Sequence, residues 1–337
     1  MRVVSLRNGF GIGNLTLETR EPPPCGPSQV LIRVRAVSLN YRDVMMVRGE
    51  YNPRQALPLV PCSDAAGEVT AIGSDVSEYA VGERVCPIFA PLWQKGPLTR
   101  EAQRSALGGP RAGTLSEYIV AEANAIVRAP AHLSDVEAAC LPCTFVTAYR
   151  ALVEFGQIGA GNTVVCQGTG GVSLAALSIA KALGARVFIT SSKAHKLERA
   201  QALGADALID TSRTPDWAKA VRELSAGEGA DHVIEVGGAQ TLRDALRATR
   251  MGGSVSVIGV LSGAISELDV RPILMQELRV QGIFVGTRAT FEGLLALLNE
   301  QRLQPQIDRE FPLAEARAAF EYASSGQSFG KVVITLA

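Results

Sequence analysis

Two glycines one residue apart, Gly168 and Gly170, stand between a short apolar stretch at 163–166 and an alanine-rich apolar run at 174–184. Written out, the segment reads Asn162-Thr-Val-Val-Cys-Gln-Gly-Thr-Gly-Gly-Val-Ser173. This arrangement suits a strand–turn–helix that cradles a pyrophosphate. Gly168 permits the tight turn and Gly170 lets a phosphate approach the backbone. The helix N-terminus then offers free N–H groups and the positive end of its dipole. Gly171 and Val172 complete the turn, and Ser173 takes the third position of the glycine pattern, small enough for close helix–strand packing. A second strand expected at 186–190 runs into Ser191, Ser192, Lys193 and Lys196 without the acidic residue that commonly binds the ribose of NAD. Hydroxyls and lysines suit a 2′-phosphate, so Ser191, Ser192 and Lys196 are candidate contacts to NADP(H). Ser191 or Ser192 could equally cap a helix starting near Ala194, and the two roles are compatible.

A parallel sheet must carry these residues. Strands expected at 163–166, 186–190, 207–209, 232–235, 254–258 and 279–284 alternate with helical segments at 174–183, 195–203, 216–225 and 239–249. That alternation predicts an α/β Rossmann fold with a doubly wound, six-stranded parallel sheet. Ligands bind beyond the carboxyl ends of such strands. The candidates there are Val236 and Gly237 after the fourth strand, Ile258, Gly259 and Val260 after the fifth, and Phe284, Val285 and Gly286 after the sixth. The region before it is β-rich, with strands expected at 30–37, 67–73, 82–86, 115–121 and 125–128. Residues 87–113, rich in Pro, Gly and charge, read as a surface excursion. Ser134 and Glu137 have capping-box spacing for a helix over 135–140, and another helix is expected over 144–155. The tail carries helices at 291–299 and 313–324 and a last strand at 331–336. The expected domains are 1–127, 128–287, and a return to the first over 288–337.

At 337 residues the chain is long for one core and natural for two domains. Its 33 basic and 33 acidic residues give no electrostatic case for nucleic acid or an anionic membrane. The start, Met1-Arg-Val-Val-Ser-Leu6, reads as a strand rather than a secretory signal, and no apolar run reaches the length that spans a bilayer. The six cysteines lack the paired spacing of a disulfide framework, which points to reduced thiols and a cytoplasmic protein.

Several short motifs then give the chain a family character: Gly67-x-Val69-x-x-x-Gly73, Val81-Gly-Glu-Arg-Val85, Gly113-Thr-Leu-Ser-Glu-Tyr118, Leu197-x-x-Ala-x-x-Leu-Gly-Ala205 and Phe329-Gly-Lys-Val-Val-Ile334. With the domain order, they resemble the medium-chain dehydrogenase/reductase superfamily over essentially the whole chain. The resemblance implies a β-rich GroES-like catalytic domain beside the Rossmann domain. The superfamily's alcohol dehydrogenases hold zinc through a Cys, a Gly-His-Glu histidine and a second Cys or Asp. Here the first position is Asn40, the histidine motif is Cys62-Ser63-Asp64, and only Cys143 fits a ligand position. One thiolate cannot supply the three protein ligands of a catalytic zinc. The 87–113 segment also lacks the four cysteines of a structural zinc lobe. No metal site is therefore expected, and Cys143 reads as a small buried side chain rather than a nucleophile.

Asn40 with Pro61-Cys-Ser-Asp-Ala-Ala-Gly67 looks instead like the zinc-free quinone oxidoreductase and enoyl reductase branches. By that resemblance Asn40 hydrogen-bonds near the nicotinamide and substrate, Tyr51 donates a proton or a hydrogen bond, and Arg42 stabilises negative charge. Thr147 would touch the nicotinamide side, and Gly330 with Lys331 would close over the cofactor. The implied activity is zinc-independent, NADPH-dependent hydride transfer to a quinone or an α,β-unsaturated carbonyl compound. A metal-free alcohol or aldehyde oxidoreductase and a non-catalytic NADPH-binding sensor stand as alternatives. A small-molecule pocket is expected from residues 41–51, 89–96 and 259–263, with Trp93 and Lys95 shaping its entrance. The sixth strand, at a sheet edge, points to a homodimer.

Overall fold

The computed structural model describes residues 1–265 and 267–336. The chain divides into two compact units, Met1–Val146 with Val285–Ala337, and Thr147–Phe284. The first unit opens with strands β1 (Arg2–Leu6), β2 (Leu15–Thr19), β3 (Gln29–Leu39), β4 (Asp64–Ile72), β5 (Arg84–Pro87), β6 (Tyr118–Glu122) and β7 (Ile126–Arg128). The second contains β8 (Thr163–Gln167), β9 (Arg186–Ser191), β10 (Ala207–Asp210), β11 (Ala230–Glu235), β12 (Thr249–Val257) and β13 (Arg279–Gly282). The tail adds β14 (Ile307–Pro312) and β15 (Lys331–Thr335) to the first unit.

β3 organises the first unit. Val30, Ile32 and Val34 are buried in alternation with partly exposed residues, the period-two signature of a strand with one covered face. From Ala36 to Leu39 every residue is buried. β3 pairs antiparallel with β4, β6 and β15, in a sheet ordered β14-β15-β3-β4-β5-β7 with β6 added to β3. The register sets Leu39 opposite Val332 and Ser38 opposite Asp64. Asn40, Asp64 and Lys331 therefore emerge at one end of this sheet. Leu6, Leu15, Val37, Val44, Val47, Phe320 and Ile334 share the core beneath it. Burying each such large side chain contributes about 1.5–3 kcal/mol.

The second unit is the expected parallel sheet, ordered β10-β9-β8-β11-β12-β13. All five residues of β8 are buried, as in a strand covered on both faces. The order reverses between β8 and β11, which makes the carboxyl ends of these two strands the natural binding crevice.

Several elements differ from expectation. The 87–113 segment is no surface excursion: Ile88, Phe89, Ala90, Trp93, Ala102 and Ala106 are buried within it. Its average composition hides these apolar residues among prolines, glycines and charges. Trp93 does not shape an open entrance, because its ring is buried and its indole N–H donates to Gly96 O at 3.0 Å. Residues 41–48 form a helix that sequence reading left unassigned, although Asn40, Asp43 and Gly49 carry its start and stop signals. The helix expected over 144–155 is built of wide turns at Leu141–Phe145 and Arg150–Phe155 around an α segment at Val146–Tyr149. Ser134 and Glu137 form the expected capping box.

Candidate functional site

In the first unit, β3 ends at Leu39 and Asn40 leads into the Tyr41–Arg48 helix. Asp43, the third residue of that helix, accepts the Asn40 N–H at 2.9 Å. The Asn40 side chain is turned toward β15. Lys331 Nζ donates to Asn40 Oδ1 at 2.5 Å and to the Leu39 carbonyl at 2.7 Å. The other end of the amide, Nδ2, donates to Ser63 Oγ at 3.4 Å and contributes a hydrogen bond to the Asp64 carboxyl. Ser63 Oγ donates in turn to Asp64 Oδ1 at 2.6 Å, and Asp64 Oδ2 accepts the Cys143 N–H at 3.1 Å.

Asp43, Ser63 and Asp64 are fully buried, and Asn40 and Lys331 are only 7% and 3% exposed. Two carboxyl groups can be buried together only with compensating partners. Burial pushes Asp43 up to about 6, against the pull of the neighbouring Arg42 guanidinium. Burial also raises Asp64, while Lys331 and the bonds from Ser63 and Asn40 draw it down. The Asp64 chain direction is fixed from behind. Cys62 has a left-handed φ of 72°, unusual for a residue with a side chain. Gly113 lies against it so closely that a Cβ there would come within 2.1 Å of the Cys62 carbonyl oxygen. Sequence reading missed Ser63, Asp64 and Asp43 as members of this site. The usable signals were the Asn40-x-x-Asp43 spacing and an acid in an otherwise apolar strand start.

Arg42 is committed elsewhere. Its guanidinium donates to Leu107 O at 3.0 Å and to Gly109 O, and lies 3.6 Å from Asp43. It also sits over the rings of Tyr51 and Phe89, 5.1 and 5.0 Å from their centroids. These contacts tie the Tyr51 and Leu107–Gly109 segments to the helix that Asn40 begins. Tyr51 remains 44% exposed.

A catalytic zinc does not fit this donor set. Zinc wants three protein ligands among thiolate, imidazole and carboxylate. Among the described residues no three of His, Cys, Asp and Glu come together to hold a metal. Asn40 Oδ1 already faces an ammonium.

The second unit holds the glycine turn. Gly168 has a φ of 71°, and its N–H donates to Thr190 O at 2.8 Å. Gly170 caps the Gly171–Ala182 helix with φ −82°, a value any residue adopts. A Cβ on either glycine would meet no protein atom within 4 Å. The protein's own packing therefore does not require glycine at 170. Ser173 is buried and donates to Gln167 O at 2.5 Å, binding helix to strand at the third motif position.

Glu235, at the end of β11, was not anticipated. Its Oε1 accepts from Gly237 N, Gly238 N and Thr241 Oγ1, each at 2.7 Å, and Oε2 accepts from Gln167 Nε2 at 2.6 Å. This buried carboxyl shapes the turn after β11 and joins it to β8. A Cβ on Gly259 would come within 2.3 Å of Val236 O, so the turns after β11 and β12 lie against each other. Val236 and Ile258 are half-buried and Val260 is exposed. Neither Ser191 nor Ser192 caps the next helix. Lys193 stands at its N-cap, and Ser191 Oγ accepts the Lys193 N–H at 3.2 Å. Ser192 is exposed, Ser191 half-buried and Lys196 buried. This unit therefore has the fold that binds a nicotinamide dinucleotide, with Gly168, Gly170, Gly171 and Val172 at the turn after β8 and Val236, Gly237, Ile258, Gly259 and Val260 at neighbouring strand ends.

The remaining candidates are placed as follows. Thr147 is buried at the head of the second unit, and Phe284 ends it. Val285 and Gly286 belong to the first unit, where a Cβ on Gly286 would press on Val146 at 2.6 Å. Gly330 has φ 92° and faces Gln306 O, so the fold itself demands glycine there. The ammonium of Lys331 is engaged with Leu39 and Asn40.

Comparison with known proteins agrees with this layout. The family model described as "Alcohol dehydrogenase GroES-like domain" matches residues 26–131, and the one described as "Zinc-binding dehydrogenase" matches 171–300. A zinc-type alcohol dehydrogenase-like protein of Schizosaccharomyces pombe is 39% identical over 95% of this chain and 94% of its own length. An acryloyl-coenzyme A reductase of Metallosphaera sedula is 30% identical over 94% and 95%. A solved NAD-dependent alcohol dehydrogenase superposes with a TM-score of 0.90 at 32% identity, covering 100% of both chains. A 2-octenoyl-CoA carboxylase reductase, solved with NADP and 2-octenoyl-CoA, gives 0.89 at 26% identity over 99% of this chain and 87% of its own.

Proposed function

The chain belongs to the medium-chain dehydrogenase/reductase superfamily, and from that membership we propose that it is a zinc-independent, NADPH-dependent reductase of quinones or α,β-unsaturated carbonyl compounds. The observation that carries this reading is the buried Lys331–Asn40–Asp64 network, an amide and an ammonium where a zinc enzyme needs metal ligands. Bound NADPH supplies the hydride. Gly168 and Gly170 hold its pyrophosphate against the helix N-terminus, and Ser191, Ser192 and Lys196 take the adenosine 2′-phosphate. A simple carbonyl needs strong polarisation to accept hydride, which zinc would provide. A quinone or enone spreads the arriving charge through its own conjugation and needs only hydrogen bonds. Asn40 takes part as a hydrogen-bonding group beside the substrate, and the Tyr51 phenol supplies a proton or a hydrogen bond to the substrate oxygen. The NADP and enoyl thioester bound by the 2-octenoyl-CoA carboxylase reductase, and the acryloyl-coenzyme A reductase activity its relative is named for, support this chemistry.

The test is a metal-depleted assay that follows NADPH and NADH oxidation with a simple quinone and a simple enone. Bound metal is counted on the same sample. Turnover that prefers NADPH and survives a chelator is the expected result. Activity only with zinc and an alcohol would overturn the reading in favour of the alcohol dehydrogenase-like relatives. Tight NADPH binding without turnover would favour a sensor.

We further propose that the protein is a cytoplasmic homodimer joined at β13. This strand ends its sheet and is exposed at all four residues. Met251, Leu274 and Met275 are 71%, 76% and 71% exposed, a cost in water that a second copy would relieve. Light scattering at micromolar protein should give twice the chain mass of 35.6 kDa, and the monomer mass would refute the dimer.

A further inference from the structure

Arg42 is nearly buried, with 11% of its side chain exposed, and the proposed reaction assigns it no step. Its guanidinium donates to the Leu107 and Gly109 carbonyls. Such bonds lie in the guanidinium plane, which leaves the flat faces of the cation for aromatic rings. The Phe89 and Tyr51 rings lie 5.0 and 5.1 Å from its central carbon, within the range of a cation–π contact. The Phe89 side is anchored, since Phe89 is 2% exposed and its carbonyl accepts the Leu107 N–H at 3.0 Å. Tyr51 differs. Its phenol hydroxyl has no hydrogen-bond partner among the described residues, and the residue stays 44% exposed.

We propose that Arg42 is a positioning residue that fixes the Tyr51 ring and so aims its phenol at the substrate oxygen, an inference that rests on the reductase reading above. The local chain delivers this contact. Arg42 stands in the first turn of the Tyr41–Arg48 helix, and Gly49, with φ 75°, reverses the chain at its end. The Tyr51 N–H then returns to the Met45 carbonyl at 3.2 Å, which brings the ring alongside the guanidinium. The backbone bond holds the Tyr51 main chain, and the guanidinium holds the ring. Arg42 acts by shape more than by charge, because the Asp43 carboxylate, 3.6 Å away, already faces its guanidinium. Without this flat support the phenol can swing about its side-chain torsions. Misplacement of one reacting group by such a swing lowers turnover by about 10- to 100-fold.

The experiment compares Arg42→Met, Arg42→Lys, Tyr51→Phe and the double variant of Arg42→Met with Tyr51→Phe. The expected result is a kcat for enone reduction down about 10- to 100-fold in Arg42→Met, with the NADPH dissociation constant kept. Arg42→Lys keeps a cation beside Asp43 and should melt close to the parent. It should still lose about 10-fold in kcat, because an ammonium has no flat face to set against a ring. Full turnover in Arg42→Lys would overturn the proposal in favour of charge alone. The double variant should be no slower than Tyr51→Phe, because a positioning residue then has no phenol to position. Losses that multiply, or unchanged turnover in Tyr51→Phe, would overturn it as well. A second readout needs neither cofactor nor turnover. The ring resonances of Tyr51, assigned by their loss in Tyr51→Phe, should shift in Arg42→Lys and Arg42→Met. Unmoved resonances would refute the contact itself, while shifted ones in a protein without reductase activity would fault only the function.

Discussion

Replacing Asn40 with alanine should lower kcat for NADPH-dependent enone reduction by about 100-fold, the scale on which a small misplacement within a site acts, because it takes the centre out of the buried Lys331–Asn40–Asp64 network. NADPH affinity should stay nearly unchanged, because Asn40 is not among the residues proposed to hold the phosphates of the dinucleotide. Alanine also strips an acceptor from Lys331 and a donor from Asp64, both buried. Leaving such groups unsatisfied costs about 1–3 kcal/mol each, so the variant should melt at lower temperature as well. Turnover must therefore be measured well below that melting temperature, with NADPH binding as proof that the protein is folded. Turnover kept in a folded Asn40→Ala protein would remove Asn40 from the chemistry and leave Tyr51 as the remaining polar candidate. An equal loss in kcat and kcat/KM would place the contribution in the transition state rather than in substrate binding.

The second unit was far more legible in the sequence than the first, for a physical reason. Parallel strands buried on both faces read as unbroken apolar runs, and the helices between them have the 3.6-residue period. The strands from β8 to β13 were all anticipated, although β12 begins at Thr249, five residues before the expected start. The first unit depends on pairings far apart in sequence. β15 meets β3 across nearly the whole chain, and only that register brings Lys331 to Asn40. Residue type pointed to Asn40, but nothing in the local pattern says that its amide lies between an ammonium and a carboxylate. Glu235 escaped notice for a similar reason. It sits at the end of an apolar strand, where only the fold shows that it collects donors from Gly237, Gly238, Thr241 and Gln167. The 87–113 segment failed in the opposite direction, since charge and proline content concealed side chains that the structure buries.

Substituting valine for Gly170 should leave the fold nearly intact and weaken NADPH binding by more than about 100-fold, the scale at which a blocked phosphate contact outweighs most of the remaining contacts. Two observations separate these effects. The backbone at Gly170 has φ −82°, which valine tolerates, and a Cβ there meets no protein atom within 4 Å. The folded protein thus loses only the small advantage of glycine at a helix N-cap, about 1 kcal/mol. A pyrophosphate seated on the helix N-terminus would instead meet the valine methyl groups. Gly168 provides the contrast. Its φ of 71° makes any side chain strained before a ligand arrives, so Gly168→Val should lose stability together with binding. Thermal melts with and without NADPH distinguish the two. Gly170→Val should melt close to the parent without cofactor and gain nothing when NADPH is added, whereas the parent should be stabilised by it. A full NADPH-induced shift in Gly170→Val would mean that the dinucleotide does not lie on this turn, and the cofactor site would have to be sought elsewhere.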